Sequence, residues 1–316
     1  MIVARSVKEV PLESASIVTV GTFDGVHRGH RAILTRVLEA AKQKRAQSMV
    51  LTFEPHPRVV LGARGEKVEV LTSVEERAGL FAAAGIDVMV VIPFTLEFSR
   101  QSAEEFVRRW LVDSMHVHHM VVGHDHHFGK GRQGGVEELA RLGKEWGFSV
   151  EQVPPLVIDG SIVSSSLIRS ALREGEIDRA AAFLGYRYNF NGVVVRGDRR
   201  GETLGYPTAN LRLLPPEKMI PGHGVYVVEG RWDGGRRYGM MNIGVRPTVG
   251  SGLQETTEVH FFDYQGEMYS KEVRVELLAR LREERKFPSL DALVRQLNDD
   301  RQESHRIIKR LAEISS

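Results

Sequence analysis

A chain of 316 residues is long enough to bury two hydrophobic cores. Its 43 basic and 41 acidic side chains leave a net charge of +2, which provides no field for drawing in nucleic acid or an anionic membrane. Without a single cysteine there is no disulfide framework and no thiolate centre, and no apolar run approaches the roughly 18 residues that a spanning helix requires, so the expectation is a cytoplasmic protein.

Met1 to Pro11 carries charges at Arg5, Lys8 and Glu9 and has no apolar core of export-signal length. Residues 16–23 read as a strand and 28–44 as a helix. The run that joins them, Gly21-Thr22-Phe23-Asp24-Gly25-Val26-His27-Arg28-Gly29-His30, has the makings of a nucleotide-handling turn. Gly25 and Gly29 allow close backbone approach, and a helix start offers unpaired N–H groups and a positive dipole end to phosphate oxygens. The run lacks the Gly-Lys-Ser/Thr ending of a P-loop and the three-glycine spacing of a dinucleotide fingerprint. Residues 49–53 then read as a strand and 73–84 as a helix, with Ser73 and Glu76 as a capping box and Gly85 as the stop. A buried strand follows at 88–94, and a helix at 102–115 opens on a second capping box, Ser102 with Glu105. A short strand at 120–122 and a helix at 136–146, stopping at Gly147, complete an alternation that predicts a parallel α/β sheet covered on both faces. Ligands of such sheets lie beyond the carboxyl ends of the strands, so residues 23–30 and 123–132 are expected to share one pocket.

After a helix at 177–184 the grammar changes, and the boundary is placed at Gly185, dividing the chain into domains 1–185 and 186–316. Residues 191–196, 225–229, 238–243, 257–263 and 273–279 read as strands, with Asp233-Gly234-Gly235 and Gln265-Gly266 as hairpin turns. They predict a small antiparallel β-barrel, closed by a helix at 289–314 whose apolar spacing is interrupted by one polar gap.

The ten-residue turn resembles the HxGH signature of the nucleotidylyltransferase superfamily and, preceded by Gly-x-Phe-Asp-Gly, the FMN adenylyltransferase half of bacterial FAD synthetases. Phe53-Glu54-Pro55-His56-Pro57 is similar to the segment lining the flavin and nucleotide pocket in that family. Gly123-His124-Asp125-His126-His127-Phe128-Gly129 is similar to Gly-x-Asp-Phe-x-Phe-Gly, with His126 in place of an aromatic, and Ser164-Ser165-Ser166-Leu167-Ile168-Arg169 to Ser-Ser-Thr-x-x-Arg. In the second half, Gly197 to Gly201, Leu204-Gly205-Tyr206-Pro207-Thr208-Ala209-Asn210, Gly224-Val225-Tyr226, Asn242 to Thr248 and Glu258-Val259-His260 resemble riboflavin kinase motifs in family order. Nearly the whole chain thus resembles the bifunctional riboflavin kinase/FAD synthetase family, which implies a Rossmann-like nucleotidylyltransferase domain followed by a riboflavin kinase barrel.

The resemblance implies phosphorylation of riboflavin to FMN by ATP and adenylylation of FMN to FAD with pyrophosphate leaving, Mg²⁺ being the cofactor. By motif position His27, His30 and Glu258 are the catalytic residues. ATP and phosphate binding falls to Gly21, Phe23, Asp24, Gly25, Ser164, Ser165, Ser166 and Arg169 in one site, and to Gly197, Gly201, Gly205, Pro207, Thr208 and Asn210 in the other. Phe53, Pro55, His56, Pro57, Asp125, Phe128 and Asn242 would contact flavin, and Thr208 and Asn210 would hold the metal. Glu202, where many relatives carry a basic residue, departs from the pattern. His116, His118, His119, His124, His126 and His127 match no compact metal-ligand spacing. Partners are expected to be small molecules, with the protein a monomer or weak homo-oligomer. Two other readings are a single-activity adenylyltransferase, which leaves residues 186–316 unexplained, and a catalytically idle flavin-binding regulator, which has no need of a base and two phosphate sites.

Overall fold

The computed structural model describes residues 1–10, 15–62, 68–197, 205–248 and 252–314, leaving out the side chains of 246–248 and 252–254. Gly201 and Glu202 lie outside the described residues. The chain forms two compact units, Met1–Ser165 and Ser166–Ser316.

The first unit is a six-stranded sheet of β1 (Ile2–Ala4), β2 (Ser16–Val20), β3 (Gln47–Glu54), β4 (Val88–Pro93), β5 (Val117–Gly123) and β6 (Ser149–Val153), in the order β1-β4-β3-β2-β5-β6 with every pairing parallel. Its helices are α1 (Arg28–Lys44), α2 (Pro57–Leu61), α3 (Val74–Ala84), α4 (Ala103–Phe106), α5 (Asp113–Met115) and α6 (Val136–Trp146), with a π-helical stretch at Val107–Val112. Period-two alternation sends Val18, Val20, Leu51, Val90 and Val122 to one core and Ile17, Val50, Met89 and Val121 to the other, where Leu34 and Val37 of α1 and Phe81 of α3 meet them. Both predicted capping boxes form, and Gly85 takes φ +94° at the end of α3. Because β2 lies between β3 and β5, the strand order reverses beside it, and the loops after β2 and β5 flank that switch point.

Two details of this unit differ from the expectation. The strand predicted to reach residue 23 stops at Val20, because Phe23 and Val26 turn into the left-handed region at φ +47° and +37°. Sequence periodicity also missed β1 and β6. They are the two edge strands, one only three residues long and the other largely polar, so neither presents a buried apolar run. A small hairpin of β7 (Val157–Ile158) and β8 (Ser161–Ile162) ends the unit.

The second unit comprises α7 (Ser165–Arg173, whose first residue closes the first unit), α8 (Ile177–Leu184, capped by Gly185 at φ +78°), a closed barrel and a long C-terminal helix, α9 (Leu290–Ile314). Barrel strands β9 (Asn189–Val195), β10 (Ala209–Leu214), β11 (Gly224–Trp232), β12 (Gly235–Thr248), β13 (Gly252–Phe261) and β14 (Glu272–Arg282) follow the order β10-β13-β12-β11-β14-β9. Every pairing is antiparallel. Asp233-Gly234 makes the expected two-residue hairpin, closed by Trp232 opposite Gly235. Gln265-Gly266 does not make one. β13 is flanked by β10 and β12, so the chain after it crosses to the far side of β11 before β14 begins. Met241, Ile243, Thr257 and Val259 fill the barrel, while alternate residues Met240 and Phe262 pack outside it with Tyr206 and, from α9, Leu297 and Ile308.

Candidate functional sites

In the first unit the turn after β2 brings its predicted residues together. Asp24 is buried, and its Oδ1 accepts from the backbone N–H groups of Leu71 and Thr72 at 2.8 and 3.0 Å, while the Gly25 N–H donates to Thr72 Oγ1 at 2.8 Å. The carboxylate therefore pins the turn to the loop before α3. His27 caps α1, its Nδ1 accepting from the His30 N–H at 3.3 Å. That bond assigns the His27 proton to Nε2, making Nε2–H the donating end of the ring. The imidazoles of His27 and His30 stack with centroids 3.6 Å apart and planes 17° apart, and Phe23 closes on His30 at 5.0 Å. Burial first, and the neighbouring His27 second, hold His30 well below the usual histidine range, so it works as a neutral ring. A Cβ on Gly29 would stand 3.2 Å from the His27 ring, and one on Gly21 would stand 3.1 Å from the Phe23 ring. The glycines keep the rings where they are. Ser165 donates from its hydroxyl to the Asp24 carbonyl at 2.9 Å, tying the Ser-Ser-Ser segment to the same turn. Ser164 precedes α7, Ser166 lies in its first turn, and Arg169, one turn beyond Ser165, is buried.

An aromatic wall adjoins the ends of β3 and β5. Phe53 contacts Phe94 and Phe98 at 5.6 and 5.5 Å, Phe98 meets Phe106 at 6.0 Å, and Phe106 meets Phe128 at 5.9 Å. His126 lies 24° from parallel with Phe128 at 5.7 Å, and burial pushes its pKa down to about 4. The substituted position thus keeps a flat, uncharged ring. Pro55 is exposed, and His56 caps α2 by accepting from the Arg58 N–H at 3.1 Å, with Pro57 as the first helical residue. Asp125 is exposed, and its carbonyl accepts from His127 Nδ1–H at 2.9 Å. Among the described residues no group of three or more His, Cys, Asp or Glu could hold a metal ion.

Sequence reasoning missed Arg77. Its guanidinium, 3% exposed as a residue, donates to the Thr22 carbonyl at 2.7 Å, Thr52 Oγ1 at 2.6 Å, the Phe53 carbonyl at 3.3 Å and Glu54 Oε2 at 3.1 Å. It welds the turn after β2 to the end of β3. Burial lowers its pKa, opposed by Asp24 and then Glu54. The available signal was an arginine on the same helical stripe as Val74 and Phe81, a position that faces the core. Arg77→Met is expected to destabilise the first unit by about 3 kcal/mol, read as a lowered denaturation midpoint of its transition, because the buried Thr52 oxygen and the half-buried Thr22 and Phe53 carbonyls lose their donor together.

In the second unit, barrel register gathers residues from distant motifs into one row. Asn210 on β10 pairs with Glu258 on β13, Glu258 with Asn242 on β12, Asn242 with Val225 on β11, and Val225 with Arg282 on β14. Directly opposed residues share a face. Glu258, Asn242, Val225 and Arg282 line a cavity of about 310 Å³, together with Thr208 and with Leu293 and Leu297 of α9. Thr208 Oγ1 donates to Glu258 Oε2 at 3.2 Å. His260 donates from Nδ1 to the Pro207 carbonyl at 2.8 Å, which steadies the Pro-Thr-Ala-Asn segment. A Cβ on Gly197 would collide with the Asn210 amide, so this glycine makes room for that side chain, while Gly205 sits exposed at φ +77° in open space. A larger depression of about 550 Å³ includes Arg231, Lys271 and Arg274 but none of the expected site residues. Chemistry, not volume, selects the smaller cavity. Thr208 on its lining, and Asn210 opposite Glu258 on the neighbouring strand, carry side-chain oxygens, hard ligands of the kind Mg²⁺ takes.

The FAD synthetase family matches residues 10–167 and the riboflavin kinase family residues 184–308. The chain is 38% identical to the bifunctional riboflavin kinase/FMN adenylyltransferase of Listeria monocytogenes, covering 93% of each chain. It is 35% identical to that of Escherichia coli K12, covering 94% of this chain and 93% of the relative. A Streptococcus pneumoniae crystal structure described as a macrolide-efflux protein superposes with a TM-score of 0.86 at 31% identity, over 96% of this chain and 98% of that one. No described helix of the present chain is long and apolar enough to cross a membrane.

Proposed function

Because this chain belongs to the family of bifunctional riboflavin kinase/FMN adenylyltransferases, it phosphorylates riboflavin to FMN and adenylylates FMN to FAD, and we propose which residues perform each step. We propose a functional boundary at 185/186, supported by the Gly185 helix stop and the kinase-family match from residue 184.

In adenylyl transfer an FMN phosphate oxygen attacks the α-phosphorus of ATP and the bond to the pyrophosphate oxygen breaks. The enzyme aligns the two phosphates and offsets the charge that builds on the leaving and non-bridging oxygens. His27 and His30 donate ring N–H bonds to those oxygens, with Asp24 holding the turn in shape. Gly21, Phe23 and Gly25 shape the phosphate approach, and Ser164, Ser165, Ser166 and Arg169 receive the remaining phosphate charge by family position. Phe53, Pro55, His56, Pro57, Asp125 and Phe128 form the flavin side.

In the kinase step Glu258 takes the proton of the riboflavin 5′-hydroxyl as the hydroxyl oxygen attacks the γ-phosphorus of ATP, and the bond from that phosphorus to the bridging oxygen breaks, releasing ADP. The single observation that carries this assignment is the row that sets Glu258 between Asn210 and Asn242 on the cavity wall, with the Thr208 hydroxyl bonded to it. Asn242 contacts the flavin. Thr208 and Asn210 would hold Mg²⁺, which would neutralise phosphate charge, and by family position Gly197, Gly201, Gly205 and Pro207 fall to the ATP phosphates. We place the enzyme in the cytoplasm, a monomer or weak homo-oligomer acting on small molecules without nucleic acid or membrane. The near balance of 43 basic against 41 acidic residues supports that reading.

Incubating the purified chain with riboflavin and Mg-ATP and following products by chromatography is expected to give FMN first and FAD afterwards, with pyrophosphate released in step with FAD. FAD appearing without an FMN lag, or FMN alone, would contradict the two-site assignment.

A further inference from the structure

Helix α9 keeps apolar spacing except across Asp300 and Ser304, yet these are its two buried residues, 4% and 0% exposed. A carboxylate so enclosed persists only where donors meet its charge. Arg282 Nε donates to both Asp300 oxygens at 3.0 Å, its Nη2 to Oδ2 at 2.8 Å, and Gln296 Nε2 to Oδ1 at 2.7 Å. Gln296 Oε1 in turn accepts from Arg285. The guanidinium carbons of Arg282 and Arg285 stand 5.6 and 5.1 Å from the centre of the Phe287 ring. Arg282, Arg285 and Phe287 all line the cavity that Glu258 lines, and Arg282 ends the cross-strand row containing Glu258.

We propose that Asp300 is a positioning residue for the kinase reaction: directly through Arg282, and through Gln296 to Arg285, it sets the pose of the cationic and aromatic wall against which the planar flavin is held. A guanidinium has a fixed fork, so an anchor that meets both Nε and Nη2 fixes its plane as well as its place. Asp300 itself lies behind the wall and is not among the residues lining the cavity. Its effect is therefore on substrate holding and not on the chemical step.

The inference rests on the Glu258 cavity being the kinase site. Glu258→Gln tests that reading on turnover, and Asp300→Asn tests this one on KM, so each fails separately. In the full chain, Asp300→Asn is expected to raise KM for riboflavin at least about tenfold with kcat within about threefold, while FMN adenylylation by the same chain is unchanged. Asp300→Glu, which restores the charge, should recover part of the loss. Ser304→Ala, which removes a 2.7 Å bond to the Asp300 backbone carbonyl, should lower the thermal midpoint without moving KM. KM for Asp300→Asn within about twofold of the parent, or an equal KM shift in Ser304→Ala, would overturn the proposal. If Asp300→Asn does not fold, Gln296→Ala at its half-buried site carries the same test: a rise in KM with kcat retained supports the proposal, and an unchanged KM defeats it.

Discussion

Glu258→Gln is expected to lower kcat for riboflavin phosphorylation at least about a hundredfold, equivalent to about 2.7 kcal/mol of activation free energy, with FAD formation from supplied FMN unchanged. Glutamine keeps the size of the side chain and an oxygen that accepts from the Thr208 hydroxyl, so the packing of the row is preserved. It removes the basicity that takes up the hydroxyl proton. The neighbours make the test sharp. Asn210 and Asn242, opposite Glu258 on the two flanking strands, are amides with no basic oxygen to replace it. A steady-state assay giving near-normal turnover would show that the proton leaves by another route.

His30→Ala is expected to reduce FAD formation at least about a hundredfold while leaving FMN formation intact. Of the two histidines this is the cleaner replacement. The bond that caps α1 runs from the His30 backbone N–H to His27 Nδ1, so alanine at position 30 keeps the cap, whereas His27→Ala removes it and adds about 1 kcal/mol of helix destabilisation. What His30→Ala removes is the ring, and with it both a donor and the surface on which His27 stacks at 3.6 Å. Assaying each half-reaction with its own substrate separates the sites; equal loss of both activities would contradict their independence.

The turn from Gly21 to His30 was legible in the sequence because its candidate groups lie within one strand-to-helix connection, where capping and glycine placement act locally. The helices at 28–44 and 136–146 were legible for the same reason. The proposal for Glu258, by contrast, rests on resemblance and not on pattern. Its neighbours Asn210, Asn242 and Arg282 come from three other strands, and barrel register is a long-range property that periodicity along one strand does not contain. Barrel closure likewise undid the Gln265-Gly266 hairpin. Arg77 and Asp300 were hidden for a different physical reason: each is a charge on a core-facing helical position, so a rule that sends charge to solvent passes over it. The polar gap in α9 marked where the helix is most deeply buried.

The two compact units meet within α7, between Ser165, whose hydroxyl holds the Asp24 carbonyl, and Ser166, which begins the other unit. The seam in the backbone therefore runs through a helix carrying the segment we propose to bind phosphate, and not through a linker. A gene cut at that seam would separate Ser165 from Arg169, leaving neither product with the whole Ser-Ser-Ser-x-x-Arg segment. Recombination that trades one half of this enzyme for a foreign counterpart has to respect the helix, so the unit of inheritance is longer than the unit of compactness.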